Sequence, residues 1–265
     1  MRVYLKAMSG DWRDYFVYRN GTIDGKNIEY YTYKYKSVVI LPANLPMPPT
    51  DTFRYMFCNC YQLRRIDALA NWDVSNVKDM SCMFYRCLCL RDINALSNWD
   101  VSNVKNMRSM FYDCLQLPYI AALSNWDVSN VTDMKSIFGG CRQLRDISDL
   151  SNWIVSNVEN MRSMFSECHR IKDITALANW DVSNVKDMYG MFSCCISLQD
   201  ITTLANWDIS KVENMDEMFL GCHRLNFPND TVDIKSRLGN LPKYHINLND
   251  LPPEWQSIEL PQWNP

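Results

Sequence analysis

Eleven cysteines and three histidines hold the most obvious chemistry in this 265-residue chain. Cys60, Cys87, Cys114, Cys141, Cys168, Cys195 and Cys222 recur at a step of 27 residues. Neighbours on stacked rungs would fall near the roughly 4.4–6.8 Å Cα separation that a disulfide needs. Thiolates could also serve zinc. Each column Cys, however, closes an apolar face that begins with Met and Phe, where a thiol behaves as a small hydrophobe. The pattern therefore predicts buried, reduced thiols. Cys58, Cys82, Cys89 and Cys194 lie outside the column, and Cys58/Cys60 and Cys87/Cys89 form C-x-C pairs. A structural zinc needs four converging ligands, and one member of each pair should face inward. Neither a metal nor a cofactor is expected.

His169 and His223 share a column two steps apart, roughly 10 Å at rung spacing, too far to share an ion. No phosphate-cradling glycine motif and no H-E-x-x-H occurs in the sequence. No Ser-His-Asp or paired-carboxylate arrangement stands out either, so an enzyme is not expected. Two adjacent columns carry charge. Arg64, Arg91, Arg145 and Lys172 make a basic stripe, and Asp92, Asp146, Asp173 and Asp200 an acidic one. Their mutual pairing at the surface would contribute only ~0–1 kcal/mol per contact. Pro118 and Tyr119 interrupt both stripes at mid-array, near Tyr112. That break, the basic stripe and two tail residues, Trp255 and Trp263, are the candidate protein contacts.

The element that must position these residues is a repeat. Trp72, Trp99, Trp126, Trp153, Trp180 and Trp207 follow one another at 27 residues without an insertion, and Phe57 to Phe219 do the same. Equal spacing over six copies argues for stacked turns of one unit that cannot bury its apolar face alone. Val104, Met107, Met110, Phe111 and Cys114 fit one face of a short helix, with Ser102 or Asn103 as its N-cap. Leu90–Ile93 reads as a short parallel rung. The column Asp67, Asn94, Ala121, Ser148, Thr175, Thr202 reads as caps of a second helical turn running to the Trp. The Asn before each Trp and the Ser-Asn column are both expected to bond neighbouring backbone. In the fourth copy Ile154 replaces the Asp that follows Trp elsewhere.

The run N-W-D-V-S-N-V-x-x-M-x-x-M-F-x-x-C at 71–87, 98–114, 125–141, 152–168, 179–195 and 206–222 resembles the BspA-type leucine-rich repeat. That repeat is common in bacterial and mycoplasma surface proteins and occurs in some protists and large DNA viruses. The resemblance implies a leucine-rich-repeat-like solenoid of short parallel rungs and short helices, used for protein–protein contact or adhesion. It carries over no catalytic residues.

Prolines mark the edges of the array. Residues 1–50 read as a β-rich N-terminal cap, with a strand at Tyr15–Tyr18, a turn at Asn20-Gly21 and further strand from Ile28 to Ile40. The array of six repeats and a partial first copy spans 51–222. Residues 223–265 read as an irregular C-terminal cap and a Pro/Trp-containing tail.

A net charge of −3 disfavours nucleic acid as a partner. No apolar run approaches the ~18 residues of a membrane span. Met1 to Asp14 lacks the apolar core of an export signal, which predicts an intracellular protein with mostly reduced cysteines and idle sequons at Asn20, Asn130 and Asn229. A cell-surface or virus-particle location is the alternative. The expected function is a non-enzymatic scaffold that binds another protein. A structural subunit of a larger assembly, or an adhesin exported by an unrecognised route, are the other readings.

Overall fold

The structure, a computed structural model, describes residues 11–23 and 26–225. No helix forms over Val104–Cys114. The stretch is instead a train of tight turns. The N–H groups of Met110, Tyr112 and Cys114 donate to the carbonyls three residues back. The alternate ones, on Met107, Ser109, Phe111 and Asp113, donate forward to Asp133, Lys135, Ile137 and Gly139 at 2.7–2.9 Å. An α-helix would send every N–H to its own segment. Here half of them tie one turn to the next, and the inward spacing of Val, Met, Phe and Cys suits both geometries.

The Met107–Met110 and Phe111–Cys114 turns carry a positive φ at their third residue, as a type II turn requires. Ser109 (54°) and Asp113 (56°) supply it. Their columns do so throughout, from Tyr55 to Glu217 and from Asn59 to Gly221, with glycine only at Gly140, Gly190 and Gly221. A left-handed L-residue costs roughly 1–2 kcal/mol. The forward hydrogen bonds and the buried columns offset that cost.

Parallel bridges link Thr52, Asp79, Asn106, Asp133, Asn160, Asp187 and Asn214 in succession. The regular rung lies at the head of the turn train; in the column of Leu90–Ile93, where it was expected, the parallel bridge found is that of Ile40 with Arg65 at the N-terminal end. In the Leu90–Ile93 region the peptide is used locally: Asp92 Oδ1 accepts the Asn94 N–H at 2.8 Å. A 3-10 turn follows, Asn94–Leu96, with counterparts Asp67–Leu69, Ala121–Leu123, Ser148–Leu150, Thr175–Leu177 and Thr202–Asn206. Each begins at the predicted capping column, but the N-cap position itself is the preceding Ile, whose side chain cannot cap. The acid just before that Ile caps the turn instead, in Asp92, Asp146, Asp173 and Asp200.

The core is a set of stacked columns. The rings of Phe57, Phe84, Phe111, Phe138, Phe165, Phe192 and Phe219 follow one another at 5.6–5.9 Å, tilted by no more than 14°. Each Trp reaches back. Trp99 Nε1 donates to the Leu69 carbonyl at 3.0 Å, and Trp126 to Trp207 repeat the bond on Leu96 to Leu177. Each column thiol from Cys87 to Cys222 donates to the carbonyl of the preceding turn's Phe at 3.1–3.4 Å. Backbone bonds thus run forward while Trp and Cys bonds run back.

At the N-terminal end, β1 (Phe16–Ile23) and β2 (Lys26–Tyr33) pair antiparallel. Asn20 and Gly21 are paired within this ladder, with Glu29 and Ile28, so the turn expected there is not formed. The second strand ends at Tyr33 rather than Ile40. Phe16 packs on Phe57 and Trp72, and the Tyr33 N–H donates to the Met56 carbonyl. Tyr33 is buried, its hydroxyl has no partner among the described residues, and burial pushes its phenol pKa up. An unpaired buried hydroxyl costs about 1–3 kcal/mol. Tyr33→Phe is therefore expected to leave the chain as stable or up to about 1 kcal/mol more stable in urea unfolding. A clear loss of stability would contradict the orphaned hydroxyl.

Candidate protein-contact surface

The inward columns leave a lateral surface of polar positions, and several hold the turns together. The Asp after each Trp folds onto its own turn: Asp100 Oδ1 accepts the Ser102 N–H and hydroxyl at 3.1 and 2.6 Å. The Ser hydroxyl, then the N–H, holds Asp73, Asp100 and Asp181 below the usual carboxylate pKa. Backbone bonding was expected of both the Asn before each Trp and the Ser-Asn column, and the Ser-Asn column makes it. Asn103, Asn130, Asn157 and Asn184 Nδ2 donate to the Ser carbonyls of the preceding turn at 2.7–2.8 Å. Asn71, Asn98, Asn125, Asn152, Asn179 and Asn206 are exposed.

The bridge column alternates in chemistry: Asp79, Asn106, Asp133, Asn160, Asp187, Asn214. The column two residues on carries arginine at every second turn as far as Arg162, in Arg54, Arg108 and Arg162, with Ser81, Lys135 and Tyr189 between and after them. Arg54 Nη2 lies 2.6 Å from Asp79 Oδ2, and Arg162 Nη1 lies 3.7 Å from Asp187 Oδ2. Between them, burial raises the carboxyl pKa of Asp133, opposed by the hydrogen bond from the Lys135 N–H and then by the charges of Arg108 and Lys135. Carboxylates stacked on every rung would lie only about 4.8 Å apart. The intervening Asn keeps the Asx hydrogen bond, as in Asn160 Oδ1 to the Arg162 N–H at 3.0 Å, without the charge.

Burial keeps the column thiols and Cys82 in the protonated form. Burial pushes Cys60 and Cys222 up to about 12 and Cys82 up to about 11. All eleven cysteines are unbridged. No group of three metal-ligating side chains occurs among the described residues. His169 is half-buried and His223 exposed.

The candidate contact residues are distributed as follows. Arg64, Arg91, Arg145 and Lys172 are all exposed. They do not pair with the acidic stripe as expected: Arg91 Nη2 donates to Gln116 at 3.3 Å, and the acids cap their own 3-10 turns. Tyr112 is half-buried, stacked on Tyr85 at 5.1 Å, and lies over Gly139, where a Cβ would meet its ring at 3.0 Å. Beside it the Asp113 carboxylate occupies the space of a Gly140 side chain. Pro118 is half-buried and its carbonyl accepts the Arg145 N–H, while Tyr119 is 56% exposed. Trp255 and Trp263 lie outside the described residues.

Ile154 is 60% exposed. Sequence reasoning noted it only as a departure. The signal was an apolar side chain in an acidic column. Tyr119 and Ile154 share one property: each stands where sister turns carry a capping Asp, so each gives up a hydrogen bond to expose apolar surface.

The model of a family described as "Mycoplasma protein of unknown function, DUF285" matches residues 51–177 and again 145–241. No curated protein and no solved structure matches the chain. Among the described residues no helix is long and apolar enough to cross a membrane.

Proposed function

The chain belongs to the DUF285 family, and from that premise we propose that its turns form a BspA-type, leucine-rich-repeat-like solenoid that serves as a non-enzymatic scaffold for binding another protein. The observation that carries this reading is the pair Tyr119 and Ile154. Two of the capping acids are replaced by large apolar side chains, 56% and 60% exposed, in the middle of an otherwise regular array. A lost cap costs about 0.5–2 kcal/mol, and an exposed Ile or Tyr returns nothing to the monomer. Tyr is enriched at protein interfaces, and the stacked Tyr85–Tyr112 pair adds aromatic surface to the same array.

The test is the double variant Tyr119→Asp/Ile154→Asp. It restores both caps, so it should be as stable as the parent or more stable by about 1 kcal/mol. It should also lose the proteins that co-purify quantitatively with the parent from the native source. Identical co-purification by the two forms, measured by mass spectrometry, would remove the support for this surface.

A further inference from the structure

The column that begins at Arg54 carries one charge that the array does not answer. Arg54 pairs with Asp79 of the next turn, and Arg162 with Asp187. Arg108 stands in the same register to Asp133. The positions that face an Asn of the next turn are Ser81, Lys135 and Tyr189, opposite Asn106, Asn160 and Asn214. Two of them are uncharged, and the third is a lysine. Lys135 is half-buried, and its ammonium forms no ion pair among the described residues.

Backbone bonds fix its surroundings. The Ser109 N–H donates to the Lys135 carbonyl at 2.7 Å, and the Ser136 N–H to the Arg162 carbonyl at 2.8 Å. Arg108, Lys135 and Arg162 therefore stand on successive turns, about 4.8 Å apart in backbone spacing. Burial, then Arg108, then Arg162 lower the Lys135 pKa. The carboxylates of Asp133 and Asp187 also act on the ammonium, each by less than either arginine. The potential at Lys135 is thus positive with both acids in place. An unanswered charge in a half-buried site is costly. Ser109 and Ser136 follow Arg108 and Lys135 in the chain. Both are buried, and neither hydroxyl makes a hydrogen bond among the described residues.

We propose that Arg108, Lys135 and Arg162 form a binding site for a phosphate group. The site does not rest on Tyr119 or Ile154. A carboxylate would gain little there, because Asp133 and Asp187 already offer one to each arginine. A phosphate monoester carries about −1.5 to −2 charge and three acceptor oxygens. It can draw the arginines from singly charged acids and answer Lys135 as well. Lysine binds phosphate as a point charge, and arginine binds it through its planar fork.

The experiment titrates the full chain with inorganic phosphate at neutral pH, with ionic strength held constant by chloride. Amide shifts in the NMR spectrum and the melting temperature are followed together. One saturable site should perturb Ser109, Lys135 and Ser136, and the melting temperature should rise as it fills. Lys135→Met should weaken binding about tenfold or more, the scale of a lost charge-assisted hydrogen bond. Lys135→Arg should hold it within about threefold. Lys105→Met, at an exposed position of a neighbouring column, should leave it unchanged. Without phosphate, Lys135→Met should melt no lower than the parent, since it removes an unanswered charge. Tighter binding of a phosphoserine peptide than of free phosphate would assign the group to a phosphorylated protein, and the reverse to a small anion; either supports the site. Absence of saturable binding would overturn the proposal. So would acetate binding as tightly as phosphate, or Lys105→Met costing as much as Lys135→Met. A clear drop in the melting temperature of phosphate-free Lys135→Met would mean that the fold itself uses the charge, and would overturn it equally.

Discussion

Phe138→Ala lowers the stability of the array by about 3–5 kcal/mol, the range for deleting a buried aromatic side chain. Phe138 is fully buried between Phe111 at 5.9 Å and Phe165 at 5.8 Å, with Trp153 at 6.3 Å. Its neighbours are fixed by backbone bonds ahead and by Trp and Cys bonds behind, so they cannot collapse into the vacated space. Because each turn contacts only its neighbours, a cavity at the centre also weakens the coupling between the two halves. Urea unfolding should then broaden, with the halves separating as distinct transitions. The control is Phe219→Ala. That ring is only partly buried and, among the described residues, stacks on Phe192 alone, so its loss should cost less than half as much. Equal costs at the two sites would mean that the stack is not what couples the turns.

Asn160→Asp destabilises the chain by about 1–3 kcal/mol at neutral pH, the scale of like charges one rung apart in a partly buried site. The new carboxylate would stand between Asp133 and Asp187, the bridge partners of Asn160. Burial already raises the Asp133 carboxyl pKa. The new group would likewise have a folded-state pKa above its unfolded value. Its penalty is absent below the unfolded pKa, grows as the pH rises through the folded value, and is complete at neutrality. The gap in melting temperature between variant and parent should therefore narrow as the pH falls from 7 toward 4. A gap that stays constant or widens on acidification would rule out charge repulsion as the cause. Asn160→Ser, which keeps an oxygen acceptor and adds no charge, should show no such pH dependence.

The columns were legible in the sequence because burial leaves a direct trace in composition. Trp72 to Trp207 and Phe57 to Phe192 could hardly recur at one step unless they stacked. The backbone that carries them was not legible. Apolar residues at Val104, Met107, Met110 and Phe111 satisfy a helix and a train of turns equally well. The distinguishing fact, positive φ at positions such as Ser109 and Asp113, leaves no mark when the residue is not glycine. For the same reason the rung was placed at Leu90–Ile93 instead of at the Asn106 column. The caps were misassigned by two residues: Asp92 and Asn94 are both capping types, and only geometry tells which one closes on the other. Of the candidate surface, Tyr119 was visible as a break in a charged stripe. Ile154 became informative only when the missing hydrogen bond beside it was seen.

The alternation of Asp and Asn along the bridges also bears on how such a chain can change over generations. Every turn docks on its predecessor through the same carbonyls, so inserting or excising one 27-residue block would leave the fold intact. It would nonetheless shift the parity, setting Asp133 against Asp187 or one Asn against another. A block of 54 residues carries a full Asp/Asn cycle with its arginine and joins seamlessly at both ends. Lengthening or shortening by a pair of turns would preserve the alternation, so changes in the length of this array should favour even numbers of turns.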